Sequence, residues 1–126
     1  NLIWQQCGIT LNLVSTTFID NTTYLTPNSD VVREQLRNTN TGTGGFEIYY
    51  VNNFPDLSGV TGQNSPNGII INDDGNSRTA AHEIGHAFGL PHRGTEGVSL
   101  MHAIFSVIKA DLILNECSGL SSFSHN

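Results

Sequence analysis

Three histidines and one glutamate between positions 82 and 92 have the types and spacing for metal chemistry. His82 and His86 are four residues apart, so an α-helix would project both imidazoles from one face. Glu83 lies beside that face, next to anything the metal holds. Gly89 can adopt the left-handed conformation that ends a helix, which lets the chain turn back and present His92. Three nitrogen ligands leave one open position on a tetrahedral zinc ion, and an open position is typical of a catalytic site.

The full pattern, H-E-x-x-H-x-x-G-x-x-H, resembles the signature of the metzincin clan of zinc endopeptidases. Metzincins also carry a methionine in a tight turn beneath the metal, and Met101, nine residues after His92, has the corresponding position. The resemblance implies that its thioether packs under the imidazoles without binding the metal. A single methionine could equally be an ordinary core residue that fills a gap.

The resemblance implies an α+β fold. It has a twisted, mostly parallel sheet with an antiparallel edge strand, an active-site helix, and a short C-terminal subdomain with the Met-turn and a final helix. We expect one catalytic domain over residues 1–126, with an upper subdomain at 1–89 and a lower one at 90–126. Periodicity and turn residues predict helices at 30–37, 78–89 and 107–116, and strands at 9–14, 46–51 and 69–72.

The chemistry that the resemblance implies is peptide hydrolysis with one catalytic Zn²⁺. Glu83 accepts a proton from a zinc-bound water as the water attacks the peptide carbonyl, and then delivers it to the leaving amine. Metzincins bind an extended substrate as an added strand at a sheet edge. By its order in the chain, the candidate edge strand contains Ile69, Ile70 and Ile71. Three consecutive isoleucines also suit an ordinary central strand that is buried on both faces.

Two positions depart from familiar metzincin families. Arg93 follows the third histidine where Glu, Ser or Asp is familiar, and Ala103 stands where astacin-like enzymes have a tyrosine. These residues assign the chain to no particular family. Residues 103–108, just after the Met-turn, predict an apolar wall for a substrate pocket, although core packing explains them as well.

The amino-acid composition limits which kinds of molecule the protein can bind. The 126 residues carry 5 Lys and Arg against 11 Asp and Glu, a net charge of −6, and they form no basic patch for nucleic acid. No apolar run is long enough to span a membrane. We expect a monomer that acts on a protein or peptide. Abundant Asn, Ser and Thr favour a secreted protein, in which Cys7 and Cys117 could form a disulfide or stay free thiols.

Asp73, Asp74 and Asn76 carry oxygen ligands suited to calcium, but they lack a recognisable loop spacing. A turn and a helix cap explain these three residues better.

Two other functions remain open at this level. One is a catalytically silent or toxin-like binding module on a metzincin scaffold, and the other is a zinc amidohydrolase that acts on small substrates. The intact Glu83 and the complete ligand set favour an active enzyme over a silent module.

Overall fold

The computed structural model describes residues 2–39, 45–92 and 100–101. It contains, in chain order, helices α1 (Leu2–Gln5), α2 (Thr22–Leu25) and α3 (Asp30–Arg37), strands β1 (Ile48–Val51), β2 (Gly62–Ser65) and β3 (Gly68–Asn72), and helix α4 (Ser77–Ala87). This composition confirms the α+β class. The helix predicted at 107–116 and most of the expected lower subdomain lie outside the described residues.

The three strands form one mixed sheet in the order β1-β3-β2. Strand β3 pairs in parallel with β1, where Ile48 lies opposite Ile69, and antiparallel with β2, where Gln63 lies opposite Ile70. The predicted antiparallel edge strand is therefore present, and it is β2. Among the described strands, one pair is parallel and one is antiparallel.

Strand β3 is the centre of the sheet and is buried on both faces. Ile69, Ile70 and Ile71 are between 0 and 2% exposed. Ile69 and Ile71 pack into the cluster that contains α4 residues, whereas Ile70 packs against Leu36 of α3. The interpretation of these three isoleucines as a substrate-binding edge strand is therefore wrong, because both edges of β3 are already paired. The alternative, a central strand, is confirmed.

Helix α4 begins and ends with well-defined caps. The Asn76 side chain accepts hydrogen bonds from the backbone of Arg78 and Thr79, and the Thr79 hydroxyl accepts one from the Asn76 backbone, which together form a capping box. At the other end Gly89 has a φ of 90°, and the Leu90 amide donates to the Gly85 carbonyl. This is a Schellman turn, which reverses the chain directly after the helix.

The main core fills the space between α4, α1 and the sheet. Trp4 is fully buried, donates a 3.2 Å hydrogen bond from Nε1 to the Ala81 carbonyl, and packs edge-on against Phe88. Leu100 and Met101 are also fully buried in this cluster. Burial of each such large apolar side chain contributes about 1.5–3 kcal/mol. Helix α4 is thus held by contacts with α1 and with the 100–101 turn as well as with the sheet.

Two local expectations differ from the structure. Residues 9–14 were predicted as a strand, but they form no regular structure, and Leu13 and Val14 are 84% and 94% exposed. In α3, the apolar Val31 is exposed, whereas the charged Arg33 and Arg37 are buried, the reverse of what their polarity predicts. None of the described helices is long and apolar enough to span a bilayer.

Arg33 is a buried cation with a complete set of partners. Its guanidinium bonds both carboxylate oxygens of Asp56 at 2.8 Å, and it also bonds Asp30 and the Pro27 carbonyl. The same group lies 5.5 Å above the centre of the Phe54 ring. Hydrogen bonds from Arg33 lower the pKa of Asp56 below its ordinary value of 3.8. This arrangement joins α3 to the loop that precedes β2.

Replacement of Asp56 by Asn should lower the melting temperature at neutral pH, because the buried Arg33 loses its bidentate counterion. The exposed Asp20 provides a matched control, and D20N should leave the melting temperature nearly unchanged.

The Asp56 carboxylate has a lowered pKa in the folded state, so its contribution is present above pH 3.8 and disappears as the pH falls through the lowered value. The difference in stability between wild type and D56N should therefore shrink under acid conditions. A difference that is constant from pH 7 to pH 2, measured by thermal unfolding, would contradict this account.

Candidate metal centre

The three histidines of the motif converge on one point. The Nε2 atom of His86 lies 3.1 Å from that of His82 and 3.0 Å from that of His92, and the His82 and His92 Nε2 atoms are 3.2 Å apart. Helix α4 places the first two residues one turn apart on the same face. The Schellman turn at Gly89 brings the chain back so that His92 faces them.

The other ring nitrogens of two histidines are held by backbone carbonyls. His82 Nδ1 lies 2.8 Å from the Leu100 carbonyl oxygen, and His86 Nδ1 lies 2.8 Å from that of Leu90. A carbonyl oxygen only accepts, so each Nδ1 carries the proton and each Nε2 presents a lone pair. The tautomers are thus the ones that a metal ligand requires.

The spacing of the nitrogens matches a zinc ion. A tetrahedral zinc with Zn–N bonds of about 2.0–2.1 Å needs its nitrogen ligands about 3.3–3.4 Å apart. The observed separations of 3.0–3.2 Å are close to this value. The unprotonated Nε2 atoms of His82 and His86 lie 3.1 Å apart, and their lone pairs repel, which a shared cation would relieve. The donor set therefore fits zinc.

Burial supports the neutral state of the first ligand. His82 is 4% exposed, and burial lowers its pKa to about 4, although the bond with the Leu100 carbonyl opposes the shift. An imidazole must be neutral to bind a metal. The site is buried at His82, half-buried at His86 and exposed at His92, so one side of the cluster is open to solvent.

Glu83 follows His82 on α4 and contacts the edge strand β2. It is 7% exposed, and burial raises its pKa to about 7, opposed by the positive charge of Arg37 and by a hydrogen bond from the Asn64 backbone amide. The strand approaches α4 very closely here. A Cβ atom on Gly62 would lie 2.8 Å from Thr79 Cγ2, 3.0 Å from Glu83 Cγ and 3.2 Å from Glu83 Oε1. A glycine at this position therefore makes room for both side chains.

Met101 packs directly against the middle of α4. A Cβ atom on Gly85, between the two helical histidines, would lie 2.4 Å from the Met101 sulfur. The neighbouring Leu100 provides the carbonyl that holds His82. The turn at 100–101 thus supports the metal cluster by packing on one side of Gly85 and by hydrogen bonding to a ligand.

Several residues important to the site were not predicted from the sequence. The carbonyls of Leu90 and Leu100 and the amide of Asn64 act through the backbone, which leaves no sequence signal. Gly62 stands among several glycines of a loop-rich stretch, so only its contact with Glu83 distinguishes it. Arg93, Ala103 and the predicted apolar wall at 103–108 lie outside the described residues.

The calcium ligands considered above have other roles. Asn76 caps α4, and Asp74 donates its backbone amide to the Asn72 side chain in the turn before that helix. Among residues 2–39, 45–92 and 100–101, the three histidines are the one group of three side chains that converges as a metal site would require.

The three-histidine cluster on an HExxH helix, beside a mixed sheet, defines a metzincin-type zinc site. A family model described as metallo-peptidase family M12B, reprolysin-like, matches residues 1–93. The chain therefore belongs to the reprolysin-like metallopeptidases, although Arg93 follows the third histidine. No curated protein and no solved structure gives a significant match.

Replacement of Gly85 by Ala should weaken the site, because the new methyl group meets the Met101 sulfur in a fully packed core. We expect a loss of about 1–3 kcal/mol in the free energy of unfolding, together with weaker zinc binding. The matched control is G45A, since a Cβ at Gly45 meets no atom within 4 Å. Equal unfolding free energies and zinc affinities for the two variants would contradict the proposed packing.

Proposed function

We propose that this protein is a zinc-dependent endopeptidase in which Glu83 is the general base and then the general acid. The observation that carries this proposal is the convergence of three imidazole nitrogens within 3.0–3.2 Å, two of them on the helix that also carries the buried Glu83. Membership of a metallopeptidase family supports the same reaction class.

His82, His86 and His92 would hold the zinc ion through their Nε2 atoms. A zinc ion bound there would polarise a peptide carbonyl and lower the pKa of a bound water. The residues of the chain orient the ligands and leave the ion its charge. The backbone carbonyls of Leu100 and Leu90 keep His82 and His86 in the metal-binding tautomer. Three neutral ligands would leave the positive charge of a bound ion uncompensated, which would favour a developing oxyanion.

Glu83 is placed to move the proton. Its carboxylate is fixed by the Asn64 amide and by the lack of space around Gly62. In the proposed reaction it removes a proton from the attacking water and passes it to the amine that leaves. Because it neighbours His82 on the same helix, it can serve both steps without a change of backbone conformation.

The edge strand for the substrate is β2 rather than β3. Strand β2 pairs with β3 on one side, and no other described strand pairs with its second side. That strand also contains Gly62 and Asn64, which touch Glu83. An extended peptide added to β2 would therefore run past the general base and the metal cluster. This open edge favours a peptide substrate over a small amide.

We further propose that the protein is exported and acts as a monomer. Cys7 is disulfide-bonded, and the sequence contains one other cysteine, Cys117, which lies outside the described residues. Disulfides persist in oxidising compartments, so this bond agrees with secretion.

Substitution of Glu83 by Gln should abolish the activity but not the metal binding. We expect the zinc-loaded wild type to digest casein, a chelator to stop the reaction, and E83Q to be about 10²–10⁴-fold slower while it retains one zinc ion per chain. D20N is the matched carboxylate control and should digest casein at the wild-type rate. Equal digestion by E83Q would refute the mechanism, and no digestion by the zinc-loaded wild type would favour a silent binding module.

Replacement of Gly62 by Ala should lower the activity by displacing Glu83 together with Thr79. The added Cβ would lie 2.8 Å from Thr79 Cγ2 and 3.0 Å from Glu83 Cγ, so both side chains must shift, and we expect kcat/KM to fall about 10–100-fold. The zinc content, measured by mass spectrometry of the native protein, should stay at one ion per chain. A variant with full activity would show that the close contact has no role in placing the general base.

A further inference from the structure

A cavity of about 510 Å³ adjoins the metal centre between the end of α4, the β2–β3 turn and the residues before β1. One of its walls contains His86, so the cavity borders the proposed reaction site. Asn64 and Ser65 of the edge strand line it as well. A peptide that lies along β2 would therefore pass the mouth of this cavity with at least one side chain near the cleaved bond.

The cavity combines apolar sides with a single carboxylate. Phe46 and Ala87, both half-buried, provide apolar wall, and Phe46 is braced by an edge-on contact with Phe88 at 5.2 Å. Glu47 is the one acidic residue among the described lining residues, and the polar remainder comes from Asn64, Ser65 and Asn67. An acidic residue next to apolar wall in one cavity complements a long side chain that carries a positive charge at its tip.

The Glu47 carboxylate is oriented but not neutralised by a described residue. Its Oε2 accepts a 2.6 Å hydrogen bond from the Tyr49 hydroxyl. The ion pairs within the described ranges join Arg33 to its two aspartates and Arg37 to Glu34. Within those ranges no ion pair involves Glu47, and a carboxylate can accept further hydrogen bonds besides the one from the Tyr49 hydroxyl.

We propose that Glu47 is a specificity-determining residue that selects substrates with Lys or Arg next to the cleaved bond. This inference rests on the proposed peptidase function. The aliphatic stem of the substrate side chain would lie against Phe46 and Ala87, and its cationic end would bind Glu47. An acidic side chain in the same place would be repelled by Glu47.

The test uses the full chain loaded with zinc and a peptide library prepared from a cell lysate with an Asp/Glu-specific protease, so that Lys and Arg remain internal. Cleavage sites are mapped by mass spectrometry. We expect Lys and Arg to be enriched about tenfold at one position beside the cleaved bond. In E47Q the enrichment should disappear, so that Lys and Arg occur at that position about as often as in the uncut library. The kcat/KM of E47Q for a matched peptide with norleucine at that position should stay within twofold of the wild-type value.

Three controls separate specificity from structure and from overall charge. D20N changes the net charge by the same amount and should keep the enrichment. Y49F removes the hydroxyl that contacts Glu47 but leaves the carboxylate, and it should also keep the preference within about twofold. Finally, E47K should reverse the preference toward Asp and Glu in a second library, prepared with a Lys/Arg-specific protease so that Asp and Glu remain internal. A purely structural role of Glu47 would not produce this reversal.

A binding measurement tests the role of Glu47 in substrate selection without requiring that the protein cleaves peptides. Zinc-loaded E83Q is immobilised and the same library is passed over it, with E83Q/E47Q and E83Q/D20N as comparisons. Retention of Lys- and Arg-containing peptides that depends on Glu47 would support the inference even if the wild type cleaves nothing, in which case the peptidase proposal would fall. Cleavage or retention with no dependence on Glu47 would overturn the inference, and the cleavage would still support the peptidase proposal. Neither cleavage nor retention would overturn both.

Discussion

The convergence of three imidazole nitrogens on one point is the constraint on which the rest of this structure depends. The unprotonated Nε2 atoms of His82 and His86 lie 3.1 Å apart, and their lone pairs repel unless a cation lies between them. The fold maintains this arrangement by three means: the four-residue spacing on α4, the Schellman turn at Gly89, and the carbonyls of Leu90 and Leu100. Each of them acts on the backbone or on a ring nitrogen, so the ligands are oriented before any metal binds.

The core explains why α4 can hold this position. Trp4 bonds the Ala81 carbonyl from one side, Met101 packs against Gly85, and the central strand β3 covers another face with Ile69 and Ile71. The sheet in turn brings its edge strand against Glu83. Core packing, the three-histidine cluster and the placement of the proposed general base are thus connected through one helix.

The motif itself predicted the site well, because its geometry is local. Spacing along a helix indicates which histidines meet, and the caps of α4 follow from Asn76 and Gly89.

The order of the strands in the sheet was harder to predict from the sequence. Three isoleucines suit a central or an edge strand equally well, and only the pairing of β2 decides between them. The segment 9–14 alternates as a strand does, yet no described strand pairs with it. Buried Arg33 was missed because its partner Asp56 is 23 residues away. The domain division at residue 90 stays a prediction.

The most direct test of the central claim is zinc K-edge X-ray absorption on the zinc-loaded protein. The structure predicts three imidazole nitrogens at about 2.0–2.1 Å and one further light atom that an added ligand can replace. Replacement of His92 by Ala should leave two imidazoles and a much weaker affinity. A spectrum with a sulfur neighbour at about 2.3 Å, or with fewer than three imidazoles in the wild type, would contradict the account.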